Sequence, residues 1–267
     1  MRTQDDDAMA STAARQLTVK MLGAVFGGPD ACASLRSAGA LDLLEPAFAQ
    51  AALGVAATTG GLGGGAATTI AALARLSPER RARVDQEVLG LVAGRKCPPI
   101  ETEWLPWKDT THRAQHLADA AGFYRAFGVD LAKERATRAD HLSVQFDFIA
   151  LLLEKRVKTF GETDGGPHRA VLDSTLTLFL GDHVLWWVPR YAQRLAELAG
   201  QFAEATTDAE LAEDARLLER AARVLERWCS VERAWTAAEP AHTPTDPKPD
   251  DEANTETTCG GCSLNET

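Results

Sequence analysis

Two histidines in this chain are spaced so that they could do chemistry together. His112 and His116 are predicted to lie one turn apart on a helix, with Asp119 nearby, and two imidazoles at this spacing can hold one metal ion. However, no third ligand follows at a suitable spacing, and the turn between the histidines lacks the glutamate of a zincin motif. The sequence therefore favours an exposed polar helix face over a metal site here.

Two further pairs carry reactive groups, Asp140 with His141 and Cys259 with Cys262. Asp140 could orient His141 as an acid-base pair, but an apolar helix is predicted to start just after them, which favours Asp140 as its cap and His141 as a packing residue. The two cysteines supply two thiolates, whereas a structural zinc takes four ligands, and no helix N-terminus is predicted beside them to activate a thiolate. An inert cysteine pair is favoured, with metal binding or redox use as the alternative.

The other motifs give no enzyme signature. The glycine-rich run at 60–65 contains a degenerate GxGxxA, but no strand is predicted before it and no Lys-Ser or Lys-Thr follows it. No nucleophile, base and orienting group occur together in a pattern, so we predict that the protein is not an enzyme. Six tryptophans beside only two tyrosines indicate an apolar groove instead.

The composition is typical of an all-α protein. Hydrophobic residues make up 45% of the 267 positions, and no segment alternates apolar and polar residues as strands do. The net charge is -10, and residues 239–267 hold seven acids and one lysine, which accounts for -6 of it. No basic stripe is present, which argues against a nucleic-acid partner. No apolar run is long enough for a membrane span, and the acidic N-terminus does not fit a signal peptide, so we expect a cytoplasmic location.

Helical periodicity predicts a bundle of about ten helices with a polar hinge between two helical parts. One helix should end at Gly128, after an aromatic cluster. After the hinge, Leu142, Phe146, Ile149 and Leu153 form the apolar stripe of a helix that belongs at the centre of the bundle. The expected divisions are a disordered leader at 1–13, an N-terminal helical part at 14–136, a C-terminal helical part at 137–238, and a disordered acidic tail with the cysteine pair at 239–267.

Four sequence blocks in the central segment share their order with a known protein family. They read PIETEWL at 99–105, ADAAGFYRAFG at 118–128, RADHLSVQFDF at 138–148 and FLGDHVLWWVPRY at 179–191. Together they resemble the TorD/DmsD/NarJ family of redox-enzyme maturation chaperones. The motifs ETEW at 101–104 and LADAAGFYRAFGV at 117–129 are most similar to the branch that serves type II enzymes of the DMSO reductase family.

The resemblance implies a cytoplasmic chaperone with no cofactor of its own. Such a chaperone binds the immature catalytic subunit of a molybdopterin oxidoreductase, often through its twin-arginine signal peptide, until cofactor is inserted and export proceeds. It would be a monomer or homodimer, with no nucleic-acid partner and no membrane span. The client-binding residues predicted at the hinge are Glu101, Glu103, Trp104, Tyr124, Phe127, Asp140, His141, Asp147 and Trp186.

The chemistry of such a peptide suggests how binding energy would be divided. Burying about 300 Å² of its apolar stretch would contribute roughly 7 kcal/mol before ordering costs. A charge-assisted bond to one arginine adds about 1.5–3 kcal/mol at most. Apolar burial should therefore set the affinity, while the carboxylates set register and specificity.

Overall fold

A computed structural model describes residues 3–27, 46–47, 62, 65–89, 96–107, 109–130, 138–162 and 165–245. Within these residues the chain forms helices and no strand, and none of the helices combines the length and apolarity that a membrane span requires. The helices are α1 (Gln4–Phe26), α2 (Ala66–Arg75), α3 (Pro78–Leu89), a 3-10 helix (Glu101–Trp104), α4 (Thr110–Ala126), α5 (Leu142–Thr159), α6 (Gly165–His183), α7 (Val188–Ala205) and α8 (Ala209–Thr236). The expected all-α bundle is confirmed, with eight α-helices in the described residues against about ten expected for the whole chain.

The core is built around α8 and α5. The 28-residue α8 packs along α7 and also contacts α2, α3 and α6, while α5 packs between α1 and α6. Phe146 of α5 and Trp228 of α8 join these groups, with ring centroids 4.7 Å apart and both side chains fully buried. The apolar stripe predicted for α5 is buried throughout, which explains why so apolar a helix is stable in this position.

Residues 4–13, assigned to a disordered leader, instead form the first turns of α1. Thr3 caps this helix: its hydroxyl accepts from the Asp6 backbone N–H at 3.2 Å, and the Asp6 carboxylate accepts from the Thr3 N–H at 2.9 Å. Acidic residues in a first helical turn are favoured by the helix dipole, so the acids indicated a helix start. A buried ion pair between Arg15 and Glu232, 2.5 Å apart, then fixes α1 against α8.

The hinge region joins two of the sequence blocks through the backbone. As predicted, the helix before it ends at Gly128, where a φ of +75° allows the Val129 N–H to reach the Tyr124 carbonyl at 2.9 Å. The predicted boundary at 136/137 lies outside the described residues. Beyond it, an isolated antiparallel bridge pairs Ile100 with His141. This bridge sets the 3-10 helix directly beside the start of α5.

Residues 239–245, which we call the strap, lie across the end of the 3-10 helix and the end of α6. Its backbone N–H groups donate to the carbonyls of Gly181 (3.0 Å, from Ala241) and Trp104 (3.0 Å, from Thr245). Composition had assigned these residues to a disordered tail, but carbonyls left without a helical partner provide acceptors that hold them. Cys259 and Cys262 lie outside the described residues.

Candidate functional site

The site is built around the buried carboxylate of Glu101. Its side chain has no exposed surface, and four donors from three helices and one connection converge on it. His116 Nε2 lies 2.6 Å and Trp186 Nε1 3.1 Å from Oε1, while Gln145 Nε2 donates to Oε2 at 2.7 Å. His183 Nδ1 lies 3.2 Å from Oε1. A buried carboxylate is costly unless it is fully hydrogen-bonded, and this one is.

His183 links Glu101 to a second carboxylate. Its other ring nitrogen, Nε2, lies 3.2 Å from Asp119 Oδ2. Burial lowers the pKa of His183, but the hydrogen bond and charge of Glu101 and the charge of Asp119 more than offset it, so the pKa lies above its ordinary value. With a carboxylate oxygen at each ring nitrogen, the doubly protonated imidazolium is the favoured form.

The Glu101 cluster opens to a pocket of about 370 Å³ beneath the strap. His242 of the strap inserts its ring there, 5.6 Å from the ring of His116 and 5.3 Å from those of Trp186 and Trp107. The pocket is lined by Leu105, Trp107, His112, Gln115, His116, Asp119 and His242. The strap therefore covers the cluster with one aromatic, titratable side chain.

Asp140 forms a separate buried group next to the bridge. Its carboxylate accepts from the Thr102 hydroxyl at 2.7 Å and the Thr102 N–H at 3.2 Å, and Arg138 Nε lies 2.9 Å from Oδ1. Asp140 thus already pairs with an arginine of this chain. The expectation that it caps α5 is wrong, because that role belongs to His141, whose Nδ1 accepts from the Ser143 N–H at 3.2 Å.

The structure places the other predicted site residues at different distances from Glu101. Trp186 contacts it directly, whereas Trp104 is buried on the 3-10 helix and donates its indole N–H to the Pro98 carbonyl at 2.9 Å. Glu103 is half-buried, and its carboxylate lies 3.4 Å from an Arg113 nitrogen on α4.

Three predicted residues lie away from this cluster. The hydroxyl of Tyr124 donates to the Ala139 carbonyl at 2.7 Å, and the ring of Phe127 packs 5.8 Å from that of Phe148. Both aromatic side chains stabilise the junction of α4 and α5. Asp147 is exposed on α5.

Sequence reasoning missed the histidines of the site. His116 was assigned to an exposed polar face, yet its side chain is only 13% exposed and contacts Glu101, so that expectation is wrong, whereas His112 is exposed as expected. His183 lay within the fourth sequence block but was not singled out. A signal was present in the sequence, because a histidine inside an otherwise apolar helix end needs a buried partner.

The fold is an all-α bundle with a buried polar cluster, and a comparison with known protein families gives further information about the chain. Residues 63–193, just under half of the chain, match the family model described as nitrate reductase delta subunit. Members of that family are chaperones for molybdoenzyme maturation, so the match supports the redox-enzyme maturation chaperones and a non-enzymatic role. The nitrate reductase delta subunit model is of the NarJ type, which does not support the TorD/DmsD branch. Searches of curated proteins and of solved structures found no significant match.

Proposed function

We propose that this protein is a cytoplasmic chaperone that holds the catalytic subunit of a molybdopterin oxidoreductase through its twin-arginine signal peptide. The peptide would bind in the groove that the strap occupies. The observation that carries this proposal is the strap itself, because it is a non-helical segment already seated between two of the family-like blocks, 99–105 and 179–191.

Backbone acceptors make the groove suitable for an extended peptide. The strap uses the carbonyls of Gly181 and Trp104, and the Thr245 hydroxyl donates to the carbonyl of Leu105 at 3.2 Å. The two bonds from the strap backbone do not depend on its side chains, so a client segment can make them equally well. The strap would then act as an internal competitor that leaves when the client arrives.

The position of His242 is suited to a client arginine. Burial and the nearby His116 and His183 lower the pKa of His242, whereas the charges of Glu101 and Asp182 act in the opposite direction. An arginine in this position would keep its charge, stack on tryptophan rings and face carboxylates. Glu101 and Trp186 would form the floor of the site, and Asp140 would hold the 3-10 helix in place.

Two truncations test this proposal. We would titrate a synthetic peptide with two arginines and an apolar stretch into the full chain and into chains lacking residues 239–267 or only 246–267. Removing the strap should tighten binding at least tenfold, whereas the shorter deletion keeps the strap and should leave affinity unchanged. Equal affinity for all three chains would exclude competition by the strap, and no binding by any of them would exclude the proposed function.

Two controls complete the experiment. A peptide with both arginines replaced by lysine keeps its charge but loses the planar guanidinium groups, which can donate two hydrogen bonds to one carboxylate. It should therefore bind more weakly. Co-purification from the native cell should recover a molybdoenzyme catalytic subunit, and this identifies the client.

A further inference from the structure

We propose that Glu101, His116 and His183 form a binding site for a divalent late-transition-metal ion, with zinc as the expected occupant. The three side chains come from the 3-10 helix, α4 and α6, and one ligand atom from each lies within 4.8 Å of the others. Two imidazoles and one carboxylate are a donor set that zinc uses in proteins. This inference does not depend on the proposed peptide binding.

The ring geometry fits one shared ion. Two imidazoles on one tetrahedral zinc, each with a Zn–N distance of about 2.1 Å, have ring centroids roughly 5 Å apart. The rings of His116 and His183 are 5.0 Å apart. Their nitrogens lie 2.6 and 3.2 Å from the same oxygen of Glu101, whereas ligand atoms on such an ion are about 3.3 Å apart. Metal binding therefore requires side-chain shifts of less than about 1 Å.

The protons between the histidines and Glu101 occupy the place that an ion would take. Zinc binds neutral imidazole, so one proton would leave His183 Nδ1 and any proton on His116 Nε2 would leave as well. His183 would then ligate through Nδ1 and keep the proton on Nε2. That nitrogen lies 3.2 Å from Asp119, which gives the carboxylate–histidine–metal arrangement common around zinc.

Outer contacts also hold the carboxylate of Glu101 in a ligating orientation. Gln145 donates to Oε2 and Trp186 to Oε1, and the second lone pair of Oε1, the oxygen nearest both histidines, can face an ion. Gln145 and Trp186 are themselves buried, so these contacts are shielded from water. Ligands whose orientation is fixed in this way lose little freedom on binding a metal.

The donors also indicate which ions would bind. Calcium and magnesium require mostly oxygen ligands, whereas imidazole favours zinc, cobalt, nickel and copper. Three protein ligands leave a fourth position for water or an external group, and the pocket that contains His116 and Asp119 lies beside it. A bound ion would cross-link the 3-10 helix, α4 and α6 beneath the strap.

The test uses the full chain with Cys259→Ser and Cys262→Ser, so that the tail thiols cannot bind the probe. Isothermal titration with zinc chloride should show one equivalent bound. Cobalt(II) should give visible ligand-field bands without a thiolate charge-transfer band. A folded double-serine chain that binds neither ion would overturn the proposal, as would a thiolate band.

Matched substitutions locate the site. In the double-serine chain, His116→Gln should weaken zinc binding at least tenfold, whereas His112→Gln, one turn away on the same helix, should leave it unchanged. Asp119→Asn changes a largely exposed residue and should weaken binding by about tenfold through loss of the outer carboxylate. Circular dichroism verifies that each variant is folded. Equal affinities for the His116 and His112 variants, or an unaffected Asp119 variant, would contradict the assignment.

Discussion

Gly181 and Glu239 approach so closely that no other residue fits at position 181. A Cβ added to Gly181 would lie 2.6 Å from the backbone carbonyl oxygen of Glu239. Because that atom belongs to the backbone of the strap, a side chain at 181 can be accommodated only if the strap moves. The glycine thus allows the strap to close over the end of α6.

Gly181→Ala should therefore release the strap without unfolding the bundle. Hydrogen exchange of the Ala241 and Thr245 amides should become faster, because their acceptors at Gly181 and Trp104 are no longer within reach. Gly166→Ala is the matched control, since it lies on the same helix and a Cβ there meets no atom within 4 Å. Unchanged exchange in the Gly181 variant would show that the strap is not held at this point.

Asp140→Asn should destabilise the fold by about 1–3 kcal/mol, because a buried acceptor loses its charge-assisted bonds to Arg138 and Thr102. Arg138→Gln should also destabilise the fold, because the buried Asp140 carboxylate keeps its Thr102 donors but loses its cationic partner. Urea unfolding measures the loss of stability in each of the two variants. If Asp140 instead contacts the client directly, the asparagine variant would keep its stability and lose affinity for the peptide.

Helix ends and the buried stripe of α5 depend on signals that are local in the sequence. Ser77 caps α3 by accepting the Arg80 N–H at 3.2 Å, and Asp109 caps α4 by accepting the Thr111 N–H at 2.8 Å. Gly128 ends α4 as expected. Each of these helix ends depends on hydrogen bonds or backbone conformations within about four residues along the chain, so a local sequence pattern can predict it.

The site itself depends on contacts between distant residues. Glu101 meets His116 across 15 positions and His183 across 82, and no spacing rule covers such separations. The order of the strap also could not be predicted from the sequence. The polar composition of the strap indicates disorder. However, the backbone carbonyls of Trp104 and Gly181 accept hydrogen bonds from it, and composition alone does not predict these contacts. Only the assembled helices create these partners.

The buried pair of Arg15 and Glu232 should show a large effect when one partner is removed. Both side chains are 2% exposed, so Arg15→Met leaves an uncompensated carboxylate and should cost about 3–5 kcal/mol. Replacing both residues by methionine should recover most of that loss, because it removes the unpaired charge. Urea unfolding with a double-mutant cycle measures the coupling.

An exposed pair provides the control for this cycle. Lys158 and Glu154 lie 2.8 Å apart but are 67% and 41% exposed, so Lys158→Met should change stability by no more than about 0.5 kcal/mol. If Arg15→Met lowered stability no more than Lys158→Met does, burial would not determine how strongly an ion pair stabilises this fold.

His141 should make stability depend on pH. Burial lowers its pKa, the charge of Asp140 offsets this only in part, and the Nδ1 that accepts the Ser143 N–H must be unprotonated. The unfolded chain therefore binds the proton more readily, so stability should fall as pH drops below about 6.5 and level off below the folded-state pKa. His141→Asn keeps a capping acceptor without titrating. Between about pH 7.5 and 5.5 the unsubstituted protein should lose up to about 1 kcal/mol more than this variant in urea unfolding. Equal losses would show that His141 does not contribute to the pH dependence.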